Sequence, residues 1–584
     1  MLSESDVSRL RAHLSRLYGD DLAAATLPRL LSLLEDFRPG PRALSGADLE
    51  GVDQTDVVLS CYADHVVENG RPGLATLRDF LAAWVRPEIT GLHLLPLHPS
   101  TSDDGFAVAD HTEVDAELGG WDDVARLAAD FRLMLDAVVN HTSASHPWFT
   151  GWLAGDPGYR DFYLEGDPAT DLASVTRPRT SPLLTPVSPG RWAWTTFSAD
   201  QVDLNYANPE VLLHVTGMLL QYVAHGARIL RLDAVAFLWK RVGTSCMHLP
   251  ETHEIVRFWR SVLDLVAPGT LVVTETNVPH AENVSYFGSG NDEAHLVYQF
   301  ALPPLTLAAF HSGDVGPLGS WVSGLGTPSY RTTFLNFLGS HDGIGLRAAE
   351  GLLPASDVEA LCAAVAANDG LVSHRQGPDG EPVPYELNSV YLDALRRPGV
   401  DEPVDVVVDR FLAAHSVMLA LAGVPLLYLH SLLGSRNWAE GVARTGRARV
   451  VNRQRLTRGE LERDLADPTG LRRRVLDGLL GMIAVRAATP AFHPEAAQSW
   501  VPGGSGYFAV QRTPRRGGSS VVCVTDVTGR PRRFRGRPTD QLPGGSRLTD
   551  LRGGNEYAVE ADGTIDVPVP AYGVRWLAAS PIRR

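Results

Sequence analysis

The sequence has few cysteines, with four among 584 residues. They lie at Cys61, Cys246, Cys362 and Cys523, and no two form the close CxxC spacing of zinc sites and redox-active dithiols. We therefore expect reduced structural thiols rather than a disulfide framework. The His, Asp and Glu residues show no HExxH-type spacing either, so the sequence predicts no metal site and no metal cofactor.

Net positive charge is also lacking, since the formal net charge is -16 at pH 7. Nucleic acids and anionic membranes bind basic faces, so this charge argues against both as partners. The amino-terminal segment has early acidic residues and no apolar core, unlike a secretory signal, and the cytoplasm is the default expectation. The most apolar stretch, residues 411–433, contains His415, Pro425 and His430. We interpret it as a buried helix leading into a buried strand rather than a membrane span.

Internal repeats and low-complexity tracts are absent, and the chain instead alternates short apolar runs with longer amphipathic segments. Strands separated by helices indicate parallel βαβ units, and about eight such units in succession indicate a closed (β/α)8 TIM barrel. The strand-like runs are DVVLSCY (56–62), GLHLLPLHP (91–99), RLMLDAVVNH (132–141), ARILRLDAV (227–235), TLVVTETN (270–277), TTFLNFLGSHD (332–342) and VPLLYLHS (424–431).

The pattern changes at both ends of the chain and twice inside the barrel. Residues 1–50 have the apolar spacing of helices and predict a helical N-terminal extension, and residues 51–485 would form the barrel. A Pro-, Gly- and Trp-rich stretch at 143–206 predicts a subdomain inserted after the third strand, and a second irregular stretch covers 373–388. Short alternating runs with Gly-rich turns predict a C-terminal antiparallel β domain at 486–584.

Polar residues follow several of the strand-like runs. Because the carboxyl ends of barrel strands converge on one face, Asp233, Glu275 and Asp342 are expected to meet there. A single carboxylate at a strand end is as often a cap or a loop hydrogen bond as a catalytic group. Three, each with Arg or His nearby, are harder to explain structurally, since clustered like charges disfavour mutual ionisation.

Four segments resemble the signature regions of glycoside hydrolase family 13, the α-amylase superfamily. They are DAVVNH (136–141), RLDAV (231–235), the Glu of TETN (274–277) and SHD (340–342), and the resemblance covers most of residues 55–580. Other strings are similar to the sucrose phosphorylase branch of that family: DDGFAVADHTEVDAELGGWDDV, RPR (177–179), GTSC (243–246), FALPPL and SHDGIG. The resemblance implies a retaining α-glucoside phosphorylase.

The mechanism that this resemblance implies is a double displacement at the anomeric carbon. Asp233 would be the nucleophile, Glu275 the general acid/base and Asp342 the stabiliser of the transition state. Phosphate, as co-substrate, would then attack the β-glucosyl ester from the opposite face, and no cofactor would be needed. Arg231 lies two residues before the nucleophile on the same strand face, where it would keep Asp233 ionised.

The resemblance also implies two groups of binding residues. Those expected around the glucose ring are Asp103, Phe106, His141, Arg231, His341 and Arg453. Those expected to bind phosphate or the leaving acceptor are Arg177, Arg179, His374, Arg375, Tyr385 and Glu386. Taken singly, a structural histidine or a solvated arginine would be the commoner interpretation. Glu386 is awkward beside an anionic acceptor, and we expect it to bond hydroxyls or an adjacent arginine.

The expected leaving group is glycerate. The string TETNVPHAENVSYFG (274–288) looks more like the glucosylglycerate phosphorylases of the branch, while Phe237 and Glu386 stand where sucrose phosphorylases have Tyr and Gln. Glycerate carries a carboxylate, which cations on the acceptor loops would bind. Sucrose, sucrose 6′-phosphate and glucosylglycerol stay open as alternative donors.

Two other classes of protein stay open as hypotheses. An α-glucosidase or transglucosidase would share the three carboxylates and resolve the glycosyl-enzyme with water or a sugar. A non-catalytic relative, such as an amylase-like transporter ectodomain, should lack part of the triad and carry a membrane span. The expected partners are a small α-glucoside and phosphate, and a homodimer stays open as the assembly.

Overall fold

The computed structural model describes residues 2–38, 51–376, 381–538, 542 and 545–579. Its centre is a closed barrel of eight parallel strands, each paired with its neighbour in chain order, and the last strand pairs with the first. The predicted (β/α)8 barrel is therefore confirmed. The strands are β1 (Val58–Cys61), β2 (Gly91–Leu94), β3 (Arg132–Val138), β4 (Ala227–Asp233), β5 (Leu271–Thr274), β6 (Leu296–Tyr298), β7 (Thr333–Asn336) and β8 (Val424–Tyr428).

Both faces of the barrel strands are buried, which is why they are nearly continuous apolar runs. One face fills the barrel interior with side chains such as Met134, Ile229 and Leu335. The strand β6 was not among the predicted runs. It spans three residues, too few to display a period before the chain enters the next helix.

The helices around the barrel return the chain from each strand to the next. Several start with proline at a first-turn position, where its missing N–H costs nothing. The longer ones are Gly73–Trp84, Trp121–Asp130, Pro209–Ala224, Pro250–Val266, Leu302–Ser312, Gly316–Ser323, Ala355–Ala367, Val404–Ala420, Arg458–Ala466 and Leu471–Ala487. The shorter ones are Pro147–Ala154, His280–Val284, Tyr391–Ala394, Leu429–Leu432 and Ala439–Thr445. Among the described residues, none of the helices could cross a bilayer.

Two antiparallel additions lie at the carboxyl ends of the strands. In the stretch predicted as an insertion after β3, His141–Ser143 pairs with Gln201–Asp203, and Leu184–Ser188 pairs with Arg191–Trp194. After β7, the stretch expected to be irregular contains a hairpin of Leu371–Gln376 and Pro382–Asn388, extended by the short strand Ile344–Gly345. Residues 377–380 of the predicted acceptor loop lie outside the described part of the chain.

The N-terminal extension is a pair of helices, α1 (Glu4–Tyr18) and α2 (Asp20–Asp36), that meet at Gly19 with φ 80°. Leu10 and Leu14 are fully buried between the pair and the barrel helices. His13 anchors α1, since its Nδ1 lies 2.6 Å from Glu254 Oε1 and its Nε2 3.0 Å from Ser261 Oγ. Residues 39–50 of the predicted extension lie outside the described residues.

The C-terminal region forms an antiparallel sheet, as the alternating runs predicted. It packs on the helix Val404–Ala420, where Trp576 Nε1 donates to Ser416 Oγ at 3.3 Å and the buried Arg512 donates to Ala420 O at 3.0 Å. Its six strands, in spatial order, are Ala497–Trp500, Tyr507–Thr513, Val521–Asp526, Val574–Ala579, Arg547–Asp550 and Glu556–Ala558. A separate pair is Arg532–Gly536 with Ile565–Val569.

Candidate active site

A cavity lies at the carboxyl ends of the barrel strands. Asp233 ends β4, Glu275 follows β5 and Asp342 lies on the loop after β7, and all three line this cavity. Barrel geometry brings them together from distant parts of the sequence. The three carboxylates therefore share one site.

Asp233 is held by a buried cation. Arg231 Nη1 donates to Asp233 Oδ1 at 2.8 Å and also to Asp136, which in turn lies 2.8 Å from His93 Nε2. Arg231 does not line the cavity and sits behind the carboxylate instead. Its contacts orient Asp233 and keep it charged, and the expected contact with the sugar stays a prediction.

The two carboxylates expected to react differ in their surroundings. Burial raises the pKa of both Asp233 and Glu275, and neighbouring carboxylates raise both further, although Arg231 opposes these effects. Of the two, only Asp233 is ion-paired within the described part of the chain. This ion pair favours the ionised form of Asp233, so Glu275 is the better placed of the two to carry a proton. That distribution is the one a nucleophile and a general acid require.

Asp342 is surrounded by cations. Arg449 Nη1 lies 2.5 Å and Arg453 Nη2 3.4 Å from Asp342 Oδ1. Burial alone would raise the pKa of Asp342, but Arg449 and the other cations around it hold that pKa well below its ordinary value. Asp342 is thus ionised, as a carboxylate that stabilises a cationic transition state must be.

Arg453 forms hydrogen bonds to residues beside the cavity. Its Nε donates to His341 O at 2.8 Å and its Nη1 to Asp104, and it does not line the cavity. The sequence analysis expected it to bind the glucose ring. Its contacts fix the loop that carries Asp342, and its binding to the glucose ring stays a prediction.

Four other residues predicted around the glucose ring do line the cavity: Asp103, Phe106, His141 and His341. The ring of His341 stacks on Phe106 with centroids 5.1 Å apart. Burial lowers the pKa of His341 to about 3 and also lowers that of His141, so both rings are neutral at physiological pH. Neutral imidazoles can donate and accept hydrogen bonds, which suits sugar hydroxyls.

On the acceptor side, Tyr385 and Glu386 reach the cavity from the hairpin after β7. Arg449 binds Glu386 in a fork, with Nη2 2.8 Å from Oε1 and Nε 3.1 Å from Oε2. Arg449 therefore bridges Glu386 and Asp342. It is the adjacent arginine that the sequence analysis expected for Glu386 without naming it.

The comparisons with known proteins agree with this geometry. The model of the α-amylase catalytic domain matches residues 87–320. A glucosylglycerate phosphorylase of Allomeiothermus silvanus is 49% identical over 523 residues, which cover 89% of this chain and 92% of that protein. This chain belongs to glycoside hydrolase family 13, the α-amylase family.

Within family 13, the relatives differ in their sequence identity to this chain. A sucrose phosphorylase of Bifidobacterium adolescentis is 30% identical over 439 residues, which cover 70% of this chain and 82% of that protein. Among solved structures, a sucrose 6F-phosphate phosphorylase from Thermoanaerobacter thermosaccharolyticum superposes with a TM-score of 0.71 at 22% identity, covering 89% of this chain and 100% of that one. That structure supports the family 13 fold alone.

The predicted acceptor cations are distributed differently from the expectation. Arg179 lines the cavity, and His374 lines an adjoining outer cavity together with Arg179. Arg177 does not line the cavity, because its guanidinium donates to the carbonyls of Ser181 and Thr180 in its own loop. Arg375 is paired with Glu350 at 2.9 Å, away from the site.

Lys240 was missed by sequence reasoning, although it is the one lysine of the chain. Its side chain is 3% exposed, and its Nζ lies 2.6 Å from Asp203 Oδ2 and 2.7 Å from Asn140 Oδ1. Asn140 precedes His141, and Asp203 ends the inserted stretch. This ion pair therefore ties the insertion to the end of β3 beside the site. A single lysine without a motif gave no signal for this role.

The residues that line the cavity and that the sequence analysis did not name as site residues include Asn277, Phe300, Arg347 and Arg449. Across the described residues, no group of three or more His, Cys, Asp or Glu side chains is placed to hold a metal ion. The four cysteines are unpaired.

Proposed function

We propose that this protein is a retaining glucosylglycerate phosphorylase. It would convert 2-O-α-D-glucosylglycerate and phosphate, reversibly, to α-D-glucose 1-phosphate and D-glycerate. The observation that carries the proposal is one cavity lined by three carboxylates, of which Asp233 and Asp342 are paired with cations, and by arginines that have no carboxylate partner among the described residues. The 49% identical relative, which is a glucosylglycerate phosphorylase, supports the choice of substrate.

In the first step, Asp233 attacks the anomeric carbon while Glu275 gives its proton to the departing oxygen of glycerate. The bond from C1 to that oxygen breaks, and a β-glucosyl ester of Asp233 forms. Asp342 remains ionised and stabilises the positive charge that develops on the sugar ring. Its charge is secured in advance by Arg449 and Arg453.

In the second step, phosphate occupies the place that glycerate has left and attacks C1 from the face opposite Asp233. Glu275 takes a proton back from the incoming phosphate, the ester bond breaks, Asp233 is released as a carboxylate, and the α configuration is restored by the second inversion. The new C1–oxygen bond carries the phosphate, so glucose 1-phosphate is the product. Run backwards, the same steps transfer glucose from glucose 1-phosphate to glycerate.

Arg179 supports phosphate as the acceptor over water. It lines both the catalytic cavity and the outer cavity that leads to it, and in the described residues it has no carboxylate within salt-bridge distance. A charged donor of this kind favours an anionic nucleophile. A hydrolase would have no need of it, which makes hydrolysis the weaker alternative.

The remaining expectations follow the same scheme. Acid, base and nucleophile are all side chains, so we propose that no cofactor takes part and that phosphate is a co-substrate. The partners would be these small molecules, with no nucleic acid or membrane, and a homodimer stays open. Four unpaired thiols suit a reducing compartment, and we place the reaction in the cytoplasm.

The test is an assay in both directions. With glucosylglycerate and phosphate, glucose 1-phosphate should form. With glucose 1-phosphate and D-glycerate, glycerol, fructose or fructose 6-phosphate offered separately, phosphate release should be fastest with glycerate. An Asp233→Asn variant is the inactive control. Faster release with fructose or fructose 6-phosphate would refute the acceptor, and free glucose as the main product from α-glucosyl fluoride at millimolar phosphate would refute the phosphorylase itself.

A further inference from the structure

Arg347 lines the catalytic cavity but has no acidic partner there. It follows Asp342 by five residues, at the start of the short 3-10 turn Arg347–Ala349. In the described part of the chain its one hydrogen-bond contact is Nη1 to the thioether sulfur of Met247 at 4.0 Å, and no carboxylate lies within salt-bridge distance. A sulfur at that distance satisfies little of a guanidinium.

The other arginines at the site are already paired with carboxylates or lie in another part of the cavity. Arg449 is bound to both Asp342 and Glu386, and Arg231 is bound to Asp233 beneath the cavity. Arg179 faces the passage shared with the outer cavity. Arg347 is absent from the lining of that passage. Among the described residues, the site therefore has two arginines without a carboxylate partner, Arg179 and Arg347, at separate places, and the reaction has two anions to bind, phosphate and glycerate.

A second polar group near Arg347 also lacks a partner. Asn277 lines the cavity two residues after Glu275, and its side-chain oxygen is buried without a hydrogen-bond partner in the described structure. A Cβ on Gly345 would lie 2.4 Å from Asn277 Nδ2, so the amide packs directly on the segment that leads to Arg347. A buried amide oxygen left open costs free energy unless a ligand donor fills it.

We propose that Arg347 binds the carboxylate of glycerate, with Asn277 accepting from a glycerate hydroxyl. This inference rests on the proposed function. Glycerate bears its carboxylate on the carbon next to the glycosidic oxygen, and its remaining hydroxyl is a donor. When Glu275 protonates that oxygen, the carboxylate of glycerate lies close to the general acid, because it is attached to the same carbon as the oxygen. A planar guanidinium matches both oxygens of a carboxylate.

This assignment explains the choice of acceptor. A neutral acceptor such as glycerol or fructose leaves the Arg347 charge partly desolvated and unpaired, which costs free energy on binding. Glycerate removes that cost. Arg347 would thus be a specificity-determining residue that the sequence analysis did not name.

The experiment compares Arg347→Met and Arg347→Lys with the wild type in two reactions. The first is phosphate release from glucose 1-phosphate with D-glycerate varied. The second is formation of glucose 1-phosphate from α-glucosyl fluoride and phosphate, in which no glycerate takes part. The control variant is Arg455→Met, which removes an arginine that is 66% exposed and paired with Asp64. Thermal melting of each variant reports on folding.

For Arg347→Met we expect the KM for glycerate to rise about 10- to 150-fold, the range of a lost charged hydrogen bond. The kcat should change much less, the fluoride reaction should stay within about threefold, and Arg347→Lys should recover part of the loss. An unchanged KM for glycerate would overturn the inference. So would an equal loss in both reactions, which indicates a structural role, or a selective loss of phosphate use. A wild type that ignores glycerate refutes the proposed function itself, and the inference with it.

Discussion

At the residue scale, the protonation of Glu275 controls the first chemical step. Burial raises its pKa, so its acid form persists to higher pH than that of an ordinary glutamate. The value of kcat/KM for glucosylglycerate should therefore fall on the alkaline side as this proton is lost. Glu275→Gln should lower kcat/KM for glucosylglycerate by about 10² to 10⁴. It should affect α-glucosyl fluoride far less, because fluoride leaves with little help.

The measurement is kcat/KM against pH for both donors. In Glu275→Gln the alkaline limb should disappear from the glucosylglycerate profile. An alkaline limb that persists in this variant would assign the titration to another group.

Arg449 gives a second prediction at this scale. Burial opposes ionisation of Asp342, and Arg449 is the foremost of the cations that overcome it. In Arg449→Met the pKa of Asp342 should rise, so the acid limb of the kcat/KM profile should move to higher pH with either donor. Arg447→Met is a suitable control, because Arg447 is two residues away, 46% exposed and paired with Asp104. A shift of equal size in the control would rule out this explanation.

Single residues also show how much of the site could be predicted from the sequence. Asp233, Glu275 and Asp342 follow strand-like runs, and a barrel requires strand ends to converge, so their meeting was predictable. Whether an arginine faces the ligand was not, because that depends on what else its guanidinium contacts. Arg177 donates to carbonyls four residues away or fewer, whereas Arg347 has no counter-charge within the part of the chain that the structure describes.

At the scale of elements, the buried pair Lys240–Asp203 joins the insertion to β3. Removing one partner of a buried ion pair leaves the other charge uncompensated, which typically costs about 3 to 5 kcal/mol. Lys240→Met should therefore lower the melting temperature clearly. It should also reduce activity, because Asn140 and His141 lose their support.

The double variant Lys240→Met with Asp203→Asn separates charge from packing. It should recover part of the lost stability, since the orphaned carboxylate is gone. Differential scanning calorimetry of the three proteins is the measurement. A double variant less stable than Lys240→Met would show that Asp203 acts mainly through its hydrogen bonds to Thr196.

Elements were predictable where their pattern was long enough. Seven strands could be predicted from their apolar runs. The strand β6 spans only Leu296–Tyr298, which is too short for such a run to be recognised. The stretch at 373–388 looked irregular because prolines interrupt its alternation, yet backbone pairing with Ile344–Gly345 makes it part of a small sheet. Such pairing is a tertiary effect that local sequence does not carry.

At the scale of the whole molecule, α1 and α2 cover barrel helices far along the chain. Leu14 is fully buried there, so Leu14→Ala should destabilise the protein by about 2 to 5 kcal/mol. The kcat at a temperature where the variant is folded should not change, because α1 does not reach the cavity. Urea unfolding and initial rates, measured on one preparation, test both statements. A large fall in kcat without loss of stability would contradict them.

A further prediction at this scale concerns metals. The proposed chemistry uses carboxylates alone. The negative charge of Asp203 beside β3 is balanced by Lys240. Dialysis against EDTA should therefore leave both the melting temperature and the initial rate unchanged. Loss of activity that returns on adding Ca²⁺ or Mg²⁺ would contradict this.

The solitary buried lysine also decides how this protein can be handled chemically. Every other basic side chain is an arginine or a histidine, and Lys240 is enclosed beside the active site. Activated esters and aldehydes, the usual reagents for coupling enzymes to dyes or supports, thus find no accessible lysine on the folded chain. A lysine that replaces one exposed arginine would in turn be the one accessible lysine for coupling, at a position that the experimenter chooses.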